Sequence, residues 1–407
     1  MHREEHMNPF KDTAHGKIPR HLGARRAGLL LAALSLLVLS ACEEAFFVPE
    51  PGTDPQAIFD QVWTFADQEY SFFDYKNVDW DQARVTYGDR LESETADGGI
   101  KEQELFDILA DMLFELEDGH VNLVSDFDTS RNAQWYLQPE PNYDYSVLQR
   151  YYFTSGGTDT VGDRSLQELV GDAFILMDFT DQAQGDVGYI HYRSFSRAVT
   201  AEDMDLVIER FSGDSYTGLI IDVRNNGGGS LSNVYAIAER FNSTGSAVPV
   251  LETQVKTGPG REDFSEKRRI MVDAPEGVDI YDKPVVVLTN ALSYSATNFF
   301  AAVMQGLANE RPYIHVMGQA TGGGGGLPAY TELSNGWELR VSTTRTFMVD
   351  PDPANAGDPS IEGRVGQGGV FPDEVVASPE NDPAIGLNVG VDNILEQALA
   401  HLRQLSP

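Results

Sequence analysis

Gly218-Leu219-Ile220-Ile221-Asp222-Val223-Arg224-Asn225-Asn226-Gly227-Gly228-Gly229 is the stretch on which the reading of this chain turns. Its first half is a short apolar run of the kind that forms a strand buried on both faces. Its second half delivers charged side chains and then bare backbone, and glycine lets backbone N–H groups approach an anion closely. The anion is either an oxyanion of acyl transfer or a phosphate. No Gly-Lys-Ser/Thr follows and the dinucleotide spacing is not reproduced, so a nucleotide site is disfavoured. Asp222 and Arg224 are expected to form an ion pair that holds the loop.

Outward from this strand the same pattern repeats. Val187-Gly-Tyr-Ile-His-Tyr, Pro284-Val-Val-Val-Leu-Thr and Tyr313-Ile-His-Val-Met are further short apolar runs, with helical periodicity near 201–212, 231–242 and 296–309 between them. Strand and helix in alternation predict an α/β fold with a largely parallel sheet. Trp337 to Met348 reads as one more strand and Ile394 to Leu405 as a terminal amphipathic helix. Upstream, Ile58, Phe59, Val62, Phe65 and Ala66, then Leu105, Phe106, Ile108, Leu109, Met112, Leu113 and Leu116, recur at helical spacing and predict a small N-terminal helical domain over 58–119. Residues 120–185 carry weak periodicity and read as an irregular connection. The α/β domain is then placed at 186–385 and the last helix within 386–407.

Three features carry chemistry. Ser295 follows a strand and opens a helix, where the helix dipole and unpaired N–H groups suit a nucleophile and its oxyanion; serine is also among the commonest helix caps, which is the structural alternative. His120 lies in a glycine-flanked turn just past a helix end and is the natural general base for a serine hydroxyl. His191 and His315 fall inside apolar strands and read as core imidazoles, with His401 on the terminal helix. The glycine loop at 227–229 is the third feature. A second glycine run, Gly322 to Gly326, reads as backbone lining or covering a cleft, with a flexible linker as the alternative.

Composition narrows the rest. The 407 residues carry 63 acids against 29 Lys plus Arg, a formal charge of −34 that repels nucleic acid and anionic lipid. So acidic and lysine-poor a surface suggests a saline habitat, with a cationic ligand as the alternative. The single cysteine, Cys42, leaves no intrachain disulfide and no multi-cysteine metal site. It follows Arg25, Arg26 and the apolar stretch Ala27 to Ala41, too short to span a bilayer and the right length for a signal-peptide core. Leu39-Ser40-Ala41-Cys42 resembles a bacterial lipobox. Residues 1–41 are thus expected to be a lipoprotein signal peptide, Cys42 the lipidated residue and 42–57 a tether, so that the mature chain is anchored by acyl groups on the periplasmic or cell-surface side of a bacterial envelope. An ordinary secretory signal is the alternative.

Leu116-Glu-Asp-Gly-His-Val-Asn-Leu, Val187-Gly-Tyr-Ile, the glycine-loop strand, Ser293-Tyr-Ser-Ala-Thr, Gly318-Gln-Ala-Thr-Gly-Gly and Gly368-Gly-Val-Phe-Pro-Asp occur in the order found in the C-terminal processing, or tail-specific, serine peptidases. Together they resemble the branch containing tricorn protease and interphotoreceptor retinoid-binding protein. The resemblance implies a crotonase/ClpP-like ββα catalytic domain that cleaves peptides or unfolded protein tails. It implies Ser295 as nucleophile, the N–H groups of Ala296 and Gly228 as oxyanion hole, and His120 as base. It also implies no metal or organic cofactor. The lysine-using branch has a catalytic lysine in a turn after the serine; here that turn is glycine and no lysine follows Lys283. Glu362 is expected to orient the imidazole, with Asp358 as fallback. The short 120–185 segment makes a PDZ module unlike what this chain carries. The rival readings are a catalytically silent peptide- or ligand-binding lipoprotein on the same fold and a crotonase-like acyl-CoA enzyme.

Overall fold

The computed structural model describes residues 52–96, 98–130, 132, 143, 145, 148, 152, 168–171, 173–181, 183–349, 360–363, 368–376 and 391–405. The signal-peptide and lipobox readings, residues 42–51 of the expected tether and the fallback Asp358 lie outside these residues; the tether expected to run to 57 is shorter, because a helix capped by Asp54 already begins at Pro55. Among the described residues no helix is long and apolar enough to cross a membrane.

Helix α1, Pro55–Glu69, starts at Asp54, whose side chain caps the Ala57 N–H at 3.1 Å, and has proline in its first turn. It turns Ile58, Phe59, Val62 and Ala66 inward. After the single turn α2, Phe73–Lys76, helix α3, Trp80–Thr95, is capped by Asp79, and α4, Glu102–Phe114, buries Leu105, Phe106, Ile108, Leu109, Met112 and Leu113. The helices do not close a core by themselves. Strand β1, Asn122–Val124, pairs with a strand more than 200 residues further on, and Leu333, Trp337, Leu339 and Val341 complete the apolar centre of the helical unit.

The main sheet is larger than the run from 186 foretells. Strands β2, Glu168–Val170, and β3, Phe174–Phe179, add antiparallel edges to β4, Asp186–Tyr192. Past α5, Ala201–Phe211, strand β5, Tyr216–Asp222, pairs parallel to β4. Helix α6, Leu231–Ala238, and the antiparallel pair β6, Val248–Val255, with β7, Arg268–Val272, precede β8, Val285–Thr289. Helix α7, Ala296–Ala308, leads to β9, Ile314–Gly318, parallel to β8.

Chain then leaves for β10, Pro328–Glu332, and β11, Glu338–Ser342, which join β1. The expected single strand Trp337–Met348 is in fact two. At Thr343 the N–H donates to Leu327 O at 2.9 Å, and β12, Thr344–Met348, crosses to pair with β6 instead. Strand β13, Glu374–Val375, closes the large sheet beside β9, giving the order β13-β9-β8-β5-β4-β3-β2. The terminal helix α8, Asn393–Gln404, follows.

Alternation along β5 sorts the layers. Leu219 and Ile221 face α5, α6 and α7, whereas Ile220 faces Leu395, Leu399 and Leu402 of α8. Gly218 is glycine because a Cβ there would lie 2.7 Å from Leu402 Cδ2, so α8 could not seat. Each buried Leu or Ile side chain in these two cores contributes about 1.5–3 kcal/mol. The carboxyl ends of β5 and β8 point to one place, where the glycine loop and Ser295 meet.

Candidate active site

Strand β5 ends in Asp222, whose carboxylate, with Arg224 at 2.6 Å, is fully buried. Asp392 joins the pair at 2.8 Å and the Tyr189 hydroxyl donates to Asp222 at 2.7 Å. This is the loop-holding ion pair expected from the sequence. It fixes the turn through Asn225 and Asn226 that presents Gly228. A Cβ on Gly228, at φ +102°, would fall 2.8 Å from Ser295 Cβ and 2.9 Å from Ala296 N, so only glycine lets the loop touch the serine helix.

Ser295 opens α7 with φ 57° and ψ −121°, a conformation that non-glycine residues rarely adopt and that costs about 1–3 kcal/mol. Neighbouring backbone bonds hold it there: Ser295 N–H to Gly323 O at 2.9 Å, Tyr294 N–H to Asn226 O at 3.0 Å and Phe299 N–H to Ser295 O at 3.0 Å. Its side chain caps nothing. Instead Ser295 Oγ lies 2.8 Å from His120 Nε2, which sets aside the helix-cap reading.

His120 comes from the turn after α4, where its N–H donates to Asp118 Oδ1 at 2.8 Å and its ring tilts against Tyr294. Nδ1 lies 2.9 Å from Gly326 O. A carbonyl oxygen can only accept, so Nδ1 carries the proton and Nε2 is left to accept from the serine. Burial lowers the His120 pKa from its ordinary value; Asp118 opposes this, and Arg340 and Lys76 add to it.

The direct orienting role expected for Glu362 is not what the geometry has. Its Oε1 pairs with Lys76 Nζ at 3.0 Å and its Oε2 accepts from Gly325 N–H at 2.6 Å, so neither oxygen is turned to the imidazole. The group that holds His120 is a backbone carbonyl, Gly326 O, two peptide units on from the Gly325 N–H that Glu362 binds. Glu362 thus acts through the glycine run, as a positioning residue. Its carboxyl, about 1% exposed, is pushed up to about 7 by burial, against the pull of Lys76 and with the push of Asp118. Lys76 also donates to Glu117 O, and the Tyr75 hydroxyl donates to Glu362 O at 2.7 Å.

The run Gly322–Gly326 is buried lining, not a linker. Gly322 N–H donates to Ser293 O at 2.9 Å, and a Cβ on Gly326 would meet Phe72 at 2.6 Å and Ser342 at 2.7 Å. Asn298, on the first turn of α7, donates to Ile361 O and accepts from Thr321 Oγ1, tying the Glu362 segment and the glycine run to the serine helix.

The expected oxyanion hole is half formed. Ala296 N–H stands free at the start of α7 among the described residues, beside Ser295. The Gly228 N–H, however, donates to Asn226 Oδ1 at 3.0 Å, because the asparagine side chain folds back over its own turn. Two sequence expectations for histidine also change. His191 is buried and stacked on Tyr145 at 3.9 Å, yet neither of its ring nitrogens has a hydrogen-bond partner among the described residues, and burial lowers its pKa to about 4. His315 is half-buried at the sheet edge and not in the core.

With this geometry in view, comparisons with known proteins become decisive. The model of peptidase family S41 matches residues 186–361 and that of the tricorn protease C1 domain residues 51–114. A solved structure of a Parabacteroides merdae protein described as a candidate peptidase is 34% identical, with TM-score 0.68, covering 86% of this chain and 97% of that one. The chain belongs to peptidase family S41. Two curated relatives are more distant. A carboxy-terminal-processing protease of Bartonella bacilliformis is 25% identical over 226 residues, 54% of this chain and 46% of that protein. The carboxy-terminal processing protease CtpA of Bacillus subtilis is 23% identical over 172 residues, 42% of this chain and 33% of that protein. The chain thus spans between a third and a half of the length of these curated relatives. Within the S41 frame, Lys76 and the Gly326 carbonyl are the parts of the site that the motifs did not announce.

Proposed function

We infer that this S41 chain is a serine endopeptidase that hydrolyses peptides or unfolded protein tails. One observation carries the reading: a serine on a strained helix start is hydrogen-bonded to an imidazole whose other nitrogen is held by a carbonyl oxygen. His120 Nε2 takes the Ser295 proton as Oγ attacks the scissile carbonyl carbon. The oxyanion forms beside the Ala296 N–H, and the Gly228 N–H joins it by turning away from Asn226 Oδ1. His120, now an imidazolium held by Gly326 O, passes its proton to the leaving amine. Water then takes the amine's place and attacks the ester carbonyl as His120 takes one of its protons; His120 returns that proton to Ser295 Oγ as the C–Oγ bond breaks and the acid leaves. Residues of this chain perform every step.

Export and anchoring belong to the same proposal. The Leu39-Ser-Ala-Cys42 lipobox supports a lipid anchor at Cys42, which would hold the peptidase on the periplasmic or cell-surface face of a bacterial envelope. Labelled palmitate incorporated by wild type and not by Cys42→Ser is the expected result.

A silent binding lipoprotein on the same fold is the second reading, and the engaged Gly228 N–H favours it. A fluorophosphonate probe separates the two. Labelling that Ser295→Ala and His120→Ala both abolish establishes an activated serine; folded wild type that never labels leaves the binding reading in its place.

A further inference from the structure

At the β13 edge of the main sheet, three side chains with no hydrogen bond among the described residues converge. His315 comes from β9, Glu374 from β13 and His401 from the last turn of α8. One ligand atom from each lies within 4.8 Å of the other two, and all three residues are half-buried. The imidazoles of His315 and His401 stack at 4.7 Å with their planes 20° apart. Three elements have thus brought two imidazoles and a carboxylate together without a side-chain hydrogen bond to any of them among the described residues.

Beside them stands a fourth group that is fixed. Asp373 Oδ2 accepts from Val316 N–H at 2.7 Å, Oδ1 accepts from Gln305 Nε2 at 2.9 Å, and Oδ2 lies 3.9 Å from His315 Nδ1. At 3.9 Å this carboxylate is in ion-pair range of one ring nitrogen, and a shift that brought it into hydrogen-bond range would fix the tautomer and leave the other nitrogen to a metal.

We propose that His315, Glu374 and His401 bind a divalent metal of the zinc type, clipping the C-terminal helix to the edge of the main sheet. Two imidazoles and one carboxylate suit zinc and its neighbours rather than calcium or magnesium, which prefer all-oxygen shells. In a tetrahedral zinc site with bonds of about 2.0–2.1 Å, ligand atoms sit roughly 3.3 Å apart. The cluster is therefore open by up to about 1.5 Å relative to that spacing, a distance that rotation of half-buried side chains closes. The fourth position is left to water.

The clip has a structural reach. Without it, α8 is held by Ile394, Leu395, Ala398, Leu399 and Leu402 against the sheet, and its last turn also by Arg403, 3.8 Å from Asp181. Val370, four residues before Glu374, donates its N–H to Thr321 Oγ1 at 2.7 Å, and that hydroxyl donates to Asn298 on α7. The proposal makes no use of the peptidase chemistry and stands or falls separately from it.

The test uses the full chain, free of any polyhistidine tag and stripped with chelator, titrated with Zn²⁺ and with Co²⁺. Because His2, His6, His15 and His21 offer other donors, the deciding comparison is between wild type and His401→Gln. Wild type is expected to gain several degrees in Tm with Zn²⁺ and to show visible Co²⁺ bands at one equivalent. His401→Gln is expected to melt like metal-free wild type, with affinity at least tenfold weaker and the bands lost. Should His401→Gln not fold, Glu374→Gln keeps the shape, removes the charge and answers the same question. Metal-dependent changes that survive the substitution, or a wild type that responds to neither metal, overturn the proposal.

Discussion

Glu362 and Lys76 form an ion pair of 3.0 Å in which each side chain is about 1% exposed, and it sits on the far side of the glycine run from His120. Lys76 belongs to the helical unit and Glu362 to the segment after β12. Their pairing therefore sews the first part of the chain to the floor of the site. A buried pair of this kind adds little net stability over an apolar replacement, but losing one partner strands a charge.

Removing Lys76 should make stability more dependent on pH. The folded Glu362 carboxyl is already raised from 4.5 to about 7 by burial. A group raised in the folded state contributes stability that is present below its unfolded value and lost as pH rises through its folded value. Without Lys76 the folded value climbs further, so Lys76→Met should cost little at pH 5 and about 3–5 kcal/mol at pH 8. Urea unfolding at the two pH values measures this. An equal deficit at both would mean that the cation does not hold the carboxylate.

Glu362→Gln keeps an oxygen for the Gly325 N–H, whereas Glu362→Ala leaves it without one. If Glu362 acts by holding the glycine run, the Gln variant should keep kcat within about tenfold and the Ala variant should lose about 10²-fold or more through misplacement of the base. Both should keep KM. A Gln variant as inactive as Ala would instead point to the charge itself.

Peptide hydrolysis should hold up in mild acid. Burial lowers the His120 pKa, so Nε2 stays unprotonated below the ordinary imidazole value of about 6.5. The acid limb of the kcat/KM profile should fall below that value, with the rate rising as pH increases through it. A second inflection near 7 that disappears in Glu362→Gln would belong to the carboxyl. An acid limb above 6.5 in wild type contradicts the assignment of His120 as a buried base.

Gly326→Ala should impair turnover without changing any functional side chain. The added methyl would press on Phe72 and Ser342 and push the carbonyl away from Nδ1. A loss of about 10²-fold in kcat with intact Ser295 and His120 is expected, together with some loss of Tm. Crystallography of the variant would show whether the imidazole has turned. Full activity would mean that the orientation of His120 does not depend on this carbonyl.

The sequence made some of this visible and hid the rest for physical reasons. Ser295, His120 and the Gly227–Gly229 loop each stand where a strongly periodic element stops, and glycine or a helix start marks the place. The sheet strands were readable because burial on both faces leaves unbroken apolar runs. Trp337–Met348 looked like one strand because a kink at Thr343 changes partners without changing composition. Lys76 offered no signal: in Phe-Phe-Asp-Tyr-Lys-Asn it resembles any surface lysine, and its partner lies 286 residues further on. A backbone carbonyl such as Gly326 O carries no residue type at all, so the family resemblance points instead to the glutamate that precedes the Gly-Val-Phe-Pro-Asp segment, Glu362.

The order in which the site's parts leave the ribosome gives the arrangement a temporal meaning. Lys76 and His120 are made early, Ser295 later, and Glu362 near the end. A chain that stops before Glu362 lacks the carboxylate that holds the glycine run, and any cut that frees the helical unit separates His120 and Lys76 from Ser295.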